Sequence, residues 1–447
     1  MKTVEQILAE VKEKNIELIR FLYTDNDSVI RGYTTTGSEL ESDLMTGHSY
    51  TKGMAFFSAL DILGPDTKYT GTGEFSAVPD LDTFRVLPHV PNTASVLCDF
   101  VQKDTHEPTG LCSRSILKQY LSELEFEVKI ACENEFYLLK RNETGKLVPF
   151  DNSICFATTG MNESHNVILT IIRALQEQGI IVEKHYPEYG PGQHEIIIKY
   201  DDALKACDNQ IYFRETVRGM ARVHGLVASF MPKPFEDLAG SGCHLHVSLW
   251  KNGKNIFYDP KDEIKLSDTA RYFIGGVLKH INALLAFTAP IVTSYKRLIP
   301  HNWASAYSCY GLDNREAAIR VVSGMKGKEE KTTHFEFKPA DGTCNPYLAL
   351  TALLAAGMDG IKNKIDPGQP VVGDPDNMCP EERKKRGITR FPDTLGEAIK
   401  ALDEDKLFEK VFGKEMYKEY ITMKYYNWIQ FARHVTQKEI DKYAEIF

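Results

Sequence analysis

The stretch from Phe126 to Lys140 alternates, with Val128, Ile130, Cys132, Asn134 and Phe136 on one parity and Glu133 and Glu135 on the other. A period of two is the signature of a strand whose side chains point to opposite faces. Two carboxylates therefore stand on one face of a sheet. Downstream, Cys243 to Trp250 and Thr333 to Lys338 repeat the pattern: His244 and His246 share one face, and Glu336 sits on an alternating segment. Glu188 and Glu195 lie within Pro187-Glu188-Tyr189-Gly190-Pro191-Gly192-Gln193-His194-Glu195, where Glu195 falls in a strand predicted over Gln193 to Tyr200. Five carboxylates aimed at one spot would repel strongly without a cation between them. Hard oxygen ligands with a single imidazole suit Mg²⁺ or Mn²⁺ better than structural zinc. Such a set points to nucleotide chemistry.

Around this centre the chain divides in two. A polar segment, Asp104 to Gly110, separates a small strand-rich part, 1–107, from a larger part, 108–447. In the first, Met1 to Arg20 reads as an amphipathic helix. Strands are predicted at Glu17 to Tyr23 and Ser28 to Thr34 around an Asp25-Asn26-Asp27 turn, and at Arg85 to Pro88 and Ala94 to Phe100. Tyr69 to Pro79 reads as loop. In the second part helices are predicted at Cys112 to Glu123 (capped by Ser113 or Ser115), Asn162 to Gln178, Asp202 to His224, Ser267 to Phe287, Pro346 to Lys362 and within Thr394 to Phe447. Further strands are predicted at Ile180 to Lys184 and Ala228 to Met231. The net charge of −9 argues against nucleic acid or an anionic membrane as the main partner. Met1 to Arg20 lacks the form of a secretory signal, and the longest apolar run, Ile281 to Pro290, is too short to span a bilayer. A cytoplasmic protein is expected, and nine cysteines without a CxxC pair fit reduced thiols.

Several segments, taken in order, resemble the glutamine synthetase family across essentially the whole chain. They are Asp80-Leu81-Asp82-Thr83-Phe84, Glu133-Asn134-Glu135-Phe136, Gly190 to Glu195, Phe230-Met231-Pro232-Lys233-Pro234, Gly240-Ser241-Gly242-Cys243-His244-Leu245-His246, Ser294 to Pro300, Asp313-Asn314-Arg315 and Asn345-Pro346-Tyr347-Leu348. The resemblance implies an α+β fold: an N-terminal β-grasp domain and a catalytic domain whose curved antiparallel sheet is flanked by helices. It implies a homo-oligomer of stacked rings, a dodecamer, with each active site completed by a neighbour's N-terminal domain. By matched position, Glu135, Glu188 and Glu195 would hold one Mg²⁺ or Mn²⁺, and Glu133, His244 and Glu336 a second, with two to three ions per site and ATP as co-substrate. Arg315, Arg320, Lys331, Ser248 and His246 match nucleotide contacts, and Tyr200 an aromatic against adenine. Arg297 matches a residue that binds the acid substrate, and Gly240 of the glycine-rich run is a further expected substrate-binding residue. Arg315, Arg297 and Glu336 are the expected catalytic residues. The implied reaction makes an acyl phosphate from ATP and a carboxylate, which an amine then attacks.

The departures from the family lie on the substrate side. Phe57 stands where glutamine-forming members carry an Asp that binds ammonium, and Trp303 where they carry a flap Glu. Ammonium is small and strongly hydrated, so its site needs charged or polar ligands, whereas two aromatics offer apolar surface and cation–π attraction. Lys338 replaces an Arg that holds the substrate carboxylate, keeping charge without the bidentate fork. Ala239 replaces an Asn, and His334 an arginine near the phosphates. Met378 occupies the place of a Tyr that some bacterial members adenylylate. Asp61 and Asp66 are candidate bases by sequence proximity alone. The expectation is a ligase joining the side-chain carboxylate of glutamate or a related acid to an organic amine. An ammonium-using glutamine synthetase and a catalytically silent ring-forming homologue are the alternatives.

Overall fold

The computed structural model describes residues 2–446. The first sheet contains β1 (Leu18–Thr24), β2 (Ile30–Thr35), β3 (His48–Thr51), β4 (Glu74–Val86) and β5 (Thr93–Gln102) in the order β2-β1-β5-β4-β3. Its central pair, β1 and β5, is parallel and the other pairs are antiparallel. With the helix Val4–Glu13 this forms the β-grasp-type N-terminal unit. The predicted first helix overran: Asn15 turns to a left-handed φ of 51°, and β1 begins at Leu18. Met1 lies outside the described residues. The predicted loop over Tyr69 to Pro79 becomes strand from Glu74, because β4 has partners on both sides, β3 and β5. The helix Leu40–Thr46 and strand β3 carry too few residues for their periodicity to show in the sequence.

The second sheet is built on β6 (Glu127–Arg141), β7 (Leu147–Pro149), β8 (Val182–Pro187), β9 (Gln193–Ile198), β10 (Asp201–Asp202), β11 (Val227–Ser229), β12 (Cys243–Lys251), β13 (Lys254–Asn255), β14 (Tyr310–Leu312), β15 (Ile319–Val322) and β16 (His334–Phe337). The main path runs β14-β15-β16-β12-β6-β9-β8, antiparallel except for β14 with β15. From Val128 to Phe136 of β6 the buried residues are the even-numbered ones, so along this stretch one face packs into the core while the odd face is free for chemistry; from Tyr137 to Leu139 both faces are buried. The core face is closed by helices, with Ala203–Val223 supplying Gln210, which donates to the Asn134 side chain. Helix Ser113–Ser122 is capped by the Cys112 thiol, which accepts from the Ser115 amide at 3.5 Å, rather than by either serine. The C-terminal region folds as four helices between Leu395 and Tyr443. The α+β class and the helix-flanked sheet are those expected from the sequence. All nine cysteines are free thiols. Among the described residues no helix is long and apolar enough to cross a membrane.

The Asp25–Ser28 turn joins β1 to β2 as predicted, yet it is buried. It plugs into the larger unit. The Ser28 hydroxyl donates to the Cys344 carbonyl (2.8 Å), Arg214 donates to the Ser28 carbonyl (2.6 Å), and Asn345 donates to the Asp25 carbonyl (2.9 Å). Asp27 accepts from Lys424 and, at 2.8 Å, from Asn427. A second clamp is Arg114, only 4% exposed, which reaches Asp80 and Asp99 of the first sheet and Asp208 of the helix Ala203–Val223 at 2.8–3.0 Å. Buried charges are tolerated when paired and hydrogen-bonded in this way.

Candidate active site: carboxylates and histidines across the sheet

Strand register sets the site. Glu135 of β6 lies opposite Glu195 of β9, and Glu195 opposite Tyr186 of β8. Glu133 lies opposite His244 of β12, His246 opposite Glu336 of β16, and Glu336 opposite Arg320 of β15. Alternation places all of these side chains on the odd face of β6 and its equivalents, so one concave surface carries acids, imidazoles and a guanidinium in adjacent rows.

The side chains touch. His246 Nε2 is 2.7 Å from Glu133, and its Nδ1 is 2.9 Å from His334 Nε2. His334 Nδ1 donates to the Thr332 carbonyl at 2.6 Å, leaving Nε2 to accept from His246. His244 Nδ1 lies 3.0 Å from Glu336 and 4.0 Å from Glu133. Glu336 is also 3.1 Å from Arg320 and 3.4 Å from Lys338. Glu135 accepts from the Gly242 amide (2.9 Å) and the Gln193 amide (3.3 Å), and the Tyr186 hydroxyl donates to Glu195. Two glycines are required by close approach. A Cβ on Gly242 would sit 2.5 Å from Arg297 and 2.6 Å from His244, and one on Gly240 would sit 2.7 Å from Arg297. Arg297 is thereby pressed against the site. Its guanidinium donates to the Ala340 (3.1 Å) and Lys338 (3.2 Å) carbonyls and lies 3.1 Å from His244.

The electrostatics are those of a charge-crowded pocket. Burial, then Glu133 and Glu135, raises the proton affinity of Glu195. Burial and Glu135 push Glu188 up to about 7, opposed in part by the charge of Arg315. Burial would raise Glu133 too, but the His246 hydrogen bond and the His244 charge outweigh it and hold it low. Glu336 is likewise held low against its burial by Lys338 and His244. Burial and His246 bring His334 down to about 4. His244 Nδ1 and Glu336 Oε2 are buried without an aligned hydrogen bond. The donor atoms of Glu133, His246 and Glu336 fall within 4.8 Å of one another. Unsatisfied donor atoms, clustered oxygens and an imidazole fit a hard divalent cation. Both histidines flank this spot: His246, expected beside the nucleotide, is the nearer to Glu133, and His244, expected as the ligand, is the nearer to Glu336.

The remaining predicted residues are distributed as follows. Ser248 continues the histidine face of β12 and accepts from the Trp250 indole at 2.9 Å. Tyr200 is exposed on the link between β9 and β10, and Lys331 is exposed on the short helix Glu329–Thr332. Arg315 is exposed on the turn before β15. Lys338 is buried beneath Glu336. Trp303 is 61% exposed on the loop after the helix Ser294–Arg297. Phe57 is the outlier. It lies in the N-terminal unit under the Arg31 guanidinium (5.6 Å), and no hydrogen bond, ion pair or ring contact among the described residues joins it to the cluster. Asp61, a candidate base, is paired with that same Arg31 at 3.0 Å. Tyr186 and Gln193 are site residues that sequence reasoning missed; the register of β9 with β8 brings in Tyr186, and its register with β6 brings in Gln193.

Comparison with known proteins agrees with this geometry. Residues 3–111 match the glutamine synthetase N-terminal domain, and residues 110–443 match the glutamine synthetase catalytic domain. The chain is 37% identical to the glutamine synthetase of Methanocaldococcus jannaschii over 98% of both chains, and 34% identical to that of Thermotoga maritima over 99% of both. Among solved structures, the GmaS/ADP complex superposes with a TM-score of 0.86 at 28% identity over 100% of both chains. A structure described as a novel glutamine synthase homolog gives 0.84 at 29% identity, covering 97% of this chain and 99% of that one. Family matches that together span nearly the whole chain, with full-length relatives above 30% identity, lead to one conclusion: the chain belongs to the glutamine synthetase family.

Proposed function

We propose that this member of a ligase family joins the side-chain carboxylate of glutamate, or a related acid, to an organic amine at the expense of ATP. In the first step a carboxylate oxygen of the acid attacks the terminal phosphorus of ATP, ADP leaves, and an acyl phosphate forms. In the second the amine gives up its ammonium proton, its nitrogen lone pair attacks the acyl carbon, inorganic phosphate leaves with the C–O bond electrons, a second N–H proton is released to solvent, and an amide remains. Mg²⁺ or Mn²⁺, held by Glu135, Glu188 and Glu195 and by Glu133, His244 and Glu336, would supply charge neutralisation at the phosphates. His246, bonded to Glu133 at 2.7 Å, orients that carboxylate. Arg315 and Arg320 stabilise charge on the transferring group. Arg297 and Lys338 bind the acid, and Gly240 lets it approach. Tyr200, Ser248 and Lys331 are assigned to the nucleotide. The 1–107 and 108–447 division, with Phe57 reaching a neighbour's site in a ring of subunits, is part of the same reading.

The observation that carries the amine half is Trp303, an exposed indole on the loop beside the Arg315 turn, at the position matched to the flap Glu of glutamine-forming members, where it offers an alkyl chain apolar cover that ammonium cannot use. The names of the full-length relatives favour a second reading, ammonium as the amine. Phosphate release measured with ATP, glutamate and a panel of amines separates the two. Faster release with an organic amine than with ammonium supports the proposal. Ammonium matching or exceeding every organic amine would sink it.

A further inference from the structure

The loop that carries Trp303 is held in a costly shape. His301, Trp303 and Ser305 all take left-handed φ values, 61°, 53° and 66°, and none is glycine. Each such residue costs energy and persists only when its surroundings over-determine it. Here the surroundings do so. His301 sits 2.6 Å from Asp374 and 3.1 Å from Asp376, the Ser305 hydroxyl donates to the Ala317 carbonyl (2.6 Å), and the Trp303 amide donates to the Glu316 carboxylate (3.2 Å). The same turn is tied to the acid side of the site, because the Lys338 amide donates to the Ala318 carbonyl at 3.0 Å. Glu316, next in sequence to Arg315 and two residues before Ala318, thus belongs to a turn bonded both to the Trp303 loop and to the strand end that carries Lys338.

Glu316 is a half-buried carboxylate without a cationic partner within 4.0 Å among the described residues. Among the described residues its carboxylate accepts a hydrogen bond only from the Trp303 amide. Lys338 serves Glu336 instead (3.4 Å). We propose that Glu316 is the specificity-determining anion of the amine pocket, and that with Trp303 it selects a primary alkylammonium: the carboxylate receives the charged nitrogen and the indole face covers the alkyl chain. This rests on the organic-amine reading above. A partly desolvated carboxylate gains most by pairing with a cation, and an aromatic face beside it adds cation–π and apolar attraction. Burial, and secondarily Asp374, disfavours the anion in the free protein and outweighs the Trp303 amide and the more distant charges of His301 and Lys338, so a bound ammonium relieves an existing cost.

The test is Glu316→Gln in the full-length enzyme. Glutamine keeps an oxygen that can accept from the Trp303 amide, so the loop retains its anchor while the charge is lost. The readout is kcat/KM for the best alkylamine relative to that for hydroxylamine, a nucleophile largely uncharged at neutral pH. Loss of a charge-assisted hydrogen bond predicts that this ratio falls roughly ten- to a hundredfold, as KM for the alkylamine rises. Glu316→Asp should restore part of the ratio. If the ratio in Glu316→Gln equals that of wild type, including the case where both rates fall together, Glu316 only props the loop and the proposal is overturned. The broader reading fails separately, if the unmodified enzyme prefers ammonium.

Discussion

Arg114→Met probes how the N-terminal unit is fastened to the catalytic one. The guanidinium is nearly sealed from solvent and contacts three carboxylates, with two bonds of 2.8 Å to Asp208. Lys118 remains beside Asp80 (2.9 Å) and Asp99, so those two keep a cation. Among the described residues Asp208 then keeps only the Tyr347 hydroxyl, at 2.8 Å, as a side-chain hydrogen-bond partner. Breaking a buried pair by removing one partner costs about 3–5 kcal/mol, whereas an exposed pair contributes about 0.2–1 kcal/mol. With an unfolding entropy of about 2.1 cal/mol/K per residue, the 447-residue chain changes by about 0.9 kcal/mol per degree if it unfolds as a unit. Arg114→Met should therefore lower the thermal midpoint by roughly 3–5 °C. Lys14→Met, which removes an exposed helix pair with Glu10, should lower it by about 1 °C or less. Adding Asp208→Asn to Arg114→Met should recover part of the loss, since no buried anion is then stranded. Scanning calorimetry at a fixed rate gives all four values. A midpoint for Arg114→Met within 1 °C of wild type, by the same conversion, would refute the view that this cluster clamps the two units.

Three further outcomes are expected. Trp303→Glu should weaken use of the best organic amine by removing apolar contact and adding charge, seen as a rise in its KM; unchanged kinetics would place Trp303 outside the amine pocket. Saturating Mn²⁺ at about a hundred times its Kd should stabilise the protein by about 2.7 kcal/mol, or about 3 °C by the conversion above, and Glu336→Gln should abolish most of that shift; equal shifts in both proteins would remove Glu336 from the metal site. His280 is buried between Asp405 (2.6 Å) and Asp359 (3.0 Å). Burial and Lys279 oppose its charge, but the two carboxylates outweigh them and raise its pKa. Because the raised value belongs to the folded state, its stabilisation is complete below about pH 6.5, the unfolded value, and is lost as pH rises through the folded one. The thermal midpoint of wild type should fall across that window relative to His280→Gln; parallel pH curves would contradict the assignment.

Much of the site was legible because its chemistry follows strand parity. A period of two places Glu133 with Glu135, and His244 with His246, whatever the register. Register itself is a long-range property. That Glu135 faces Glu195, and that Tyr186 then reaches the same carboxylate, depends on how β8 and β9 align. The His246–Glu133 contact depends on rotamers that no pattern encodes. No sequence pattern marks Glu316 beside Arg315, because its contact comes from a loop that folds back to it from thirteen residues away. At the N-terminus the helical charge pattern ran on past Glu13, and only the left-handed Asn15 and the pairing of β1 end it. The Asp25–Ser28 turn has the polar composition of a surface hairpin, yet it is buried by partners such as Lys424, some four hundred residues distant. Phe57 belongs to the other unit of the same chain, so a role at the amine pocket depends on a neighbouring subunit.

The central claim is that an activated carboxylate is captured by an organic amine. The most direct measurement is mass spectrometry of the products formed from ATP, glutamate labelled with ¹⁸O in its side-chain carboxylate, and an equimolar mixture of ammonium and alkylamines. The account predicts a γ-glutamyl alkylamide as the main product, with one labelled oxygen transferred to the released phosphate. Unlabelled phosphate would contradict the acyl phosphate, and glutamine as the main product would contradict the organic amine.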